Sequence, residues 1–172
     1  MNHALIIKPI HNEFCPAIID LILSIQQKEF GLSITINQQP DLLDIEANYY
    51  ASGGCFWGTF VNEELVGTIA LINTGHQAGC IRKMFVKKDF RGKEWGTAQK
   101  LLDVLLQFCR HKGIADVQLG TVEPLKAAHR FYERNGFKRI TKEDLPPYFP
   151  LMLTDTMFFQ LHLEKTESNG RN

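Results

Sequence analysis

Ala98, Leu101, Leu102, Leu105, Leu106 and Cys109 fall at i, i+3, i+4, i+7, i+8 and i+11, with Lys100, Asp103, Gln107 and Arg110 opposite. That spacing is the apolar stripe of an amphipathic helix. Arg110, His111 and Lys112 occupy its last turn and Gly113 can end it, as the helix dipole and C-cap preferences require. A strand-like run, CIRKMFV (80–86), precedes this helix, and another, DVQLGTV (116–122), follows it. A helix with one apolar face between two short strands buries that face on their sheet, and the crossover makes the strands parallel. No other stretch limits the fold as strongly.

The rest of the chain supplies further strands and helices. ALIIKPIH (4–11) reads as a first strand. Pro16 can open a helix in which Ile18, Ile19, Ile22 and Ile25 recur at helical spacing, ending near Gly31. PDLLDIEANYYASGG reads as a second helical stretch, beginning at Asp41 or just before it and stopping at Gly53-Gly54. CFWGTFVNEELVGTIALINTG reads as a hairpin around the polar turn Asn62-Glu63-Glu64. EPLKAAHRFYERNGF predicts a helix with Pro124 in its first turn and Asn135-Gly136 at its end. Residues 137–141 make a short strand, EDLPPYFPL a proline-rich loop, and 156–163 a last alternating strand. The order β-α-α-β-β-β-α-β-α-β-β predicts an α/β (α+β) fold. Its core is a central mixed, mostly antiparallel twisted sheet of six to seven strands, flanked on both faces by about four helices. One domain is expected over 1–165, with a polar tail over 166–172.

Charge and cysteine usage narrow the function. Lysines plus arginines equal aspartates plus glutamates at 19 each, so the formal net charge is zero. That balance leaves no electrostatic footprint for nucleic acid or an anionic membrane, so neither is expected as a partner. Nothing stands against a homodimer. Residues 1–30 lack the features of a signal peptide, and no apolar run approaches the ~18 residues of a membrane span, so the chain reads as cytoplasmic. Cys15, Cys55, Cys80 and Cys109 are scattered among apolar neighbours, without a C-x-x-C pair or a histidine at metal-ligand spacing. They read as reduced, buried cysteines, and no metal is expected.

The junction DFRGKEWGTAQKLL (89–102) runs from a strand into the long helix through Arg91-Gly92-Lys93-Glu94-Trp95-Gly96. Free N–H groups and the positive end of the dipole could hold a phosphate there, and Gly92 and Gly96 would let it come close. The stretch is neither a Walker loop nor a dinucleotide fingerprint. By itself it fits an anion cradle or an ordinary polar turn, and Glu94 is a carboxylate where an anion would sit. Context is supplied by Ala128-His129-Arg130-Phe131-Tyr132-Glu133-Arg134-Asn135-Gly136-Phe137. Together the two segments resemble the GNAT superfamily of N-acetyltransferases, which use acetyl-coenzyme A. The family's signature is Q/R-x-x-G-x-G/A between the fourth strand and the next helix, joined later by A-x-x-F/L-Y-x-x-x-G-F. The resemblance covers residues 80–137 by motif and the remainder by element order.

This resemblance implies roles for particular residues. Main-chain N–H groups of Arg91, Gly92, Lys93, Glu94, Trp95, Gly96 and Thr97 would hold the pyrophosphate of coenzyme A. The backbone of Met84, Phe85 and Val86 would pair with the pantetheine arm like an added strand. An N–H near Phe85 or Val86 would stabilise the oxyanion formed as an amine attacks the thioester. Tyr132 matches the position that gives a proton to the departing thiolate, a task within reach of a phenol. Acetyl-CoA is then a co-substrate, and the acceptor is a primary amine on a small molecule or peptide. Transfer is direct, in a ternary complex. Neither Cys80 nor Cys109 reads as an acyl carrier, since neither has a histidine or basic group that would visibly lower its pKa.

Three positions depart from the pattern. Glu94 replaces the first glycine of the signature, Cys80 stands where many members carry a glutamate base, and Leu125 stands where many carry an asparagine. Glu29, His76, His129 and Asp155 are candidate proton acceptors only because they titrate, and water can serve in their place. The acceptor side is expected from residues 25–60 and the loop EDLPPYFPLMLTD, where Tyr49, Tyr50, Phe56, Trp57 and Tyr148 suit a partly apolar pocket. The alternative function is a regulatory module that binds coenzyme A and does no chemistry.

Overall fold

A computed structural model of the chain describes residues 4–164. Strands follow one another in the hydrogen-bonded order β1-β2-β3-β4-β5-β7-β6, a seven-stranded mixed sheet as the element order predicts. The chain divides into two compact units, one reaching to Asn73 and taking up Ile81–Leu106, the other made of Thr74–Cys80 and the chain from Gln107 onward.

In the first unit β1 (Leu5–Pro9) pairs antiparallel with β2 (Cys55–Val61), Leu5 facing Val61. β2 turns into β3 (Glu64–Gly75) through Asn62 and Glu63, whose φ angles are 49° and 66°. Two successive left-handed residues make the two-residue turn whose twist matches that of the flanking strands. α1 (Cys15–Leu23) has Pro16 in its first turn and continues as a π-helical turn over Ser24–Glu29. Ile18, Ile22 and Ile25 are buried and Ile19 is half-buried, as their spacing predicts.

The second helical stretch departs from expectation. Residues 36–50 form short 3-10 turns at Ile36–Gln38 and Pro40–Leu43, then a π-helical turn at Glu46–Tyr50. Pro40 has no N–H to carry a helix through, and the Asp44 carboxylate takes the N–H of Ala47 at 3.0 Å. The apolar spacing still determines burial, for Leu42, Ile45 and Tyr49 all enter the core. β4 (Ala78–Val86) leads through a loop to α2 (Thr97–Lys112), where Leu101, Leu102 and Leu105 are fully buried. Gly67 on β3 gives α2 its seat. A Cβ there would lie 3.3 Å from both Leu101 Cδ1 and the Phe85 carbonyl oxygen.

In the second unit β5 (Asp116–Thr121) pairs parallel with the start of β4, Ala78 facing Asp116 and Cys80 facing Gln118, as the helical crossover requires. β5 also pairs antiparallel with β7 (Met157–His162), which pairs with the short β6 (Lys138–Ile140). α3 (Lys126–Arg134) begins just after Pro124 and is closed by Gly136 at φ +85°. Its Tyr132 packs among Phe131, Phe137 and Phe159 at ring-centroid distances of 5.6, 5.5 and 5.9 Å. The tail expected over 166–172 lies outside the described residues. Among the described residues no helix is long and apolar enough to cross a membrane.

Candidate functional site

The loop between β4 and α2 is built by its own polar groups. A 3-10 turn at Lys88–Phe90 leads into it, and Gly92 and Gly96 take φ values of +99° and +61°. Glu94 adopts no positive φ, so the missing signature glycine costs no backbone strain, and its side chain is exposed. The buried Thr97 donates its hydroxyl to the Phe90 carbonyl at 2.8 Å, and Lys100 Nζ donates to the Trp95 carbonyl at 3.0 Å. The Phe90 and Trp95 rings pack 5.0 Å apart.

These contacts consume carbonyls and leave donors. Within the loop the Arg91 N–H is spent on the Lys88 carbonyl and the Gly96 N–H on the Gly92 carbonyl. The N–H groups of Gly92, Lys93, Glu94, Trp95, Thr97 and Ala98 have no intramolecular acceptor among the described residues. Such a cluster of donors at the positive end of a sixteen-residue helix suits an anion.

The Arg91 side chain is engaged elsewhere. Its Nε donates to the Val86 carbonyl at 2.8 Å, and its two terminal nitrogens form a fork onto both oxygens of Glu29, with Nη2 2.8 Å from Oε2. The hydrogen bond from Arg91 lowers the Glu29 pKa, assisted by the charges of Arg91 and Lys88 against some desolvation. That carboxylate is therefore a weaker base than a free glutamate.

β4 carries an unforeseen network beside Met84. Lys83 has φ +53° inside the strand, and its carbonyl accepts the Thr68 hydroxyl at 2.7 Å. Its ammonium, 7% exposed, donates to Gln39 Oε1 at 2.8 Å and lies 3.4 Å from Asp41 Oδ2. Asp41 also accepts the Tyr49 hydroxyl at 2.6 Å, and Gln39 donates to Gln26 Oε1 at 2.7 Å. Breaking a buried pair of this sort by removing one partner costs about 3 kcal/mol or more. No spacing rule brings Lys83 to Gln39 and Asp41, which are far apart from it in sequence. A left-handed lysine within a strand has no sequence signal either.

Tyr132 is 6% exposed, and burial pushes its phenol well above its ordinary range, with the nearby Cys80 adding to the shift. Cys80 and Cys109 are buried, and burial pushes the Cys109 thiol up to about 12, far from the range of a nucleophile. The remaining proton-acceptor candidates have defined surroundings. His76 stacks on Tyr148 at 4.2 Å, and His129 Nε2 lies 2.9 Å from the Val122 carbonyl oxygen. Asp155 lies over Gly120 of β5, where a Cβ would meet its Oδ2 at 2.2 Å. Of the aromatic residues expected near the acceptor, Tyr49, Phe56 and Trp57 belong to the core, and Tyr50 donates its hydroxyl to the carbonyls of Ile10 and Phe56.

Comparison with known proteins bears on the fold and the family. The chain is 38% identical to a GNAT-family acetyltransferase from Staphylococcus aureus Mu50 of known structure, with a TM-score of 0.90 over 94% of this chain and 100% of that one. An acetyltransferase from Streptococcus agalactiae 2603 is 30% identical, with a TM-score of 0.88 over 92% and 98%. N-acetylaspartate synthetase from Xenopus tropicalis is 32% identical over 129 residues, or 73% of this chain and 47% of that protein. The chain thus spans about half the length of the curated relatives it matches. The profile of the acetyltransferase (GNAT) family matches residues 19–137, most of the chain, and the chain belongs to that family.

Proposed function

We propose that the protein moves an acetyl group from acetyl-CoA to a primary amine by direct attack in a ternary complex. The observation that carries this reading is the set of N–H groups of Gly92, Lys93, Glu94, Trp95, Thr97 and Ala98 at the head of α2, which have no acceptor among the described residues and offer a seat for the pyrophosphate. The backbone of Met84, Phe85 and Val86 holds the pantetheine arm, and an N–H of Phe85 or Val86 faces the thioester oxygen. The amine nitrogen attacks the carbonyl carbon, the oxyanion collapses, the C–S bond breaks, and the thiolate takes the Tyr132 proton. A phenol whose pKa is raised by burial stays protonated at neutral pH and has that proton to give. The amine's own proton leaves through water, since Cys80 is not a base and Glu29 is held by Arg91.

Relatives named N-acetylaspartate synthetase put aspartate and other amino acids first among acceptors to try. A cytoplasmic setting fits four buried cysteines that form no disulfide. The test is coenzyme A release from acetyl-CoA across a panel of amino acids, small amines and peptide N-termini, comparing wild type with Tyr132→Phe. Turnover unchanged in the variant would remove the proposed acid. A second reading, a coenzyme A-binding module without chemistry, is favoured by one observation, the cysteine at position 80 in place of the family's glutamate. Tight coenzyme A binding with no turnover on any amine would select it.

A further inference from the structure

Two cations fasten residues 24–50 to the coenzyme side of the first unit, and they differ in kind. Lys83 is buried and reaches Gln39 and Asp41 from the middle of β4. Arg91 is on the loop itself, and its pair with Glu29 is partly open to solvent, the side chains being 36% and 27% exposed. We propose that Glu29 is a positioning residue that ties residues 24–34 to the coenzyme loop through Arg91, so that coenzyme A bound at the loop stiffens that segment. The inference rests on the coenzyme A reading above.

The geometry suits such a coupling. Arg91 is pinned at Nε by the Val86 carbonyl, so its guanidinium plane is set by the end of β4 and the start of the loop. A two-pronged contact transmits that orientation to the carboxylate, which a single ammonium contact would not do. The guanidinium also lies over the Phe30 ring, 6.0 Å from its centre. Glu29 ends the π-helical turn Ser24–Glu29, a rare wide turn of the kind often found at functional sites. The same turn holds the next residues, for Leu32 N–H donates to Gln26 O at 2.9 Å and Gln27 Nε2 to Ile34 O at 2.7 Å. At the other end of the fork, Gly92 has open space around it and a left-handed φ, so a ligand can approach the loop backbone closely. A pyrophosphate held by the loop's N–H groups restrains the loop, and the fork passes the restraint to Glu29. Coupling of this kind is reciprocal, so the segment also helps to hold the loop ready for the coenzyme.

The test is amide hydrogen exchange on the full chain, with and without saturating coenzyme A, beside calorimetric titration of coenzyme A. In wild type, coenzyme A should slow exchange in residues 25–34 by about fivefold or more. Glu29→Gln should still bind coenzyme A, with Kd raised up to about fivefold, and its residues 25–34 should no longer respond. A response in Glu29→Gln equal to that of wild type overturns the proposal, as does a wild type whose residues 25–34 ignore coenzyme A. Failure of wild type to bind coenzyme A at all would remove the donor reading first and this coupling with it. If Glu29→Gln does not fold, wild type at rising KCl replaces it. Screening of the exposed pair should then shrink the response at saturating coenzyme A, and an undiminished response counts against the coupling.

Discussion

Burial at Tyr132 keeps the phenol neutral where a solvent-exposed one would already begin to ionise in mild alkali. Its ring contacts with Phe131, Phe137 and Phe159 survive loss of the hydroxyl. Tyr132→Phe should therefore fold as wild type by circular dichroism and lose about 100-fold in kcat, the typical share of a positioned acid. In the loop, Gly96 has a φ of +61° with only Lys100 Cε near a Cβ position, so conformation rather than crowding excludes side chains. Gly96→Val should abolish measurable coenzyme A binding in a titration, because a β-branched residue resists the left-handed region. Glu94 is exposed and unstrained, so Glu94→Gly should match or exceed wild-type affinity, and loss of binding there would contradict the backbone cradle. Glycine spacing made this loop legible in sequence as a place where backbone donors gather. The engagement of Arg91 by Glu29 was not, because it joins residues with no common local pattern.

Among the elements, α2 was the plainest in sequence because its stripe, basic last turn and terminal Gly113 all agree. Leu105 is fully buried on it, and Leu105→Ala should lower stability by about 2–5 kcal/mol in urea unfolding. The β2–β3 hairpin was equally legible, since a short polar turn separates two β-branched runs. Residues 36–50 were not. Their apolar spacing foretold which side chains are buried, but Pro40 and the Asp44 carboxylate divert the backbone into short turns. What holds that segment is Lys83 from a distant strand, a tertiary partner that no window of sequence contains. Lys83→Met should accordingly lower the melting temperature, with the loss of the buried charge partner of Asp41 as its cause.

For the molecule as a whole, several acidic groups have pKa values raised by burial. Cys109 is pushed up to about 12, Tyr50 and Tyr132 are raised as well, and Cys55 shifts in the same direction. A group whose folded-state pKa is raised gives stability that is full below its unfolded pKa and lost as pH climbs to the folded one. For Cys109 that window runs from 9.0 to about 12 and is worth roughly 4 kcal/mol at its end. The urea midpoint should fall steeply over that range, and less steeply in Cys109→Ala.

Local and periodic information in the sequence determined the strands, three of the helices, the parallel crossover and the loop that meets the head of α2. It did so because a helix stripe, a hairpin turn and a glycine spacing are each written within a few residues. Tertiary structure alone decided the left-handed Lys83 with its buried partners, the fork between Arg91 and Glu29, and the protonation of Tyr132. Each of these depends on desolvation and on contacts between residues far apart in the chain, which arise only once the core has closed around them.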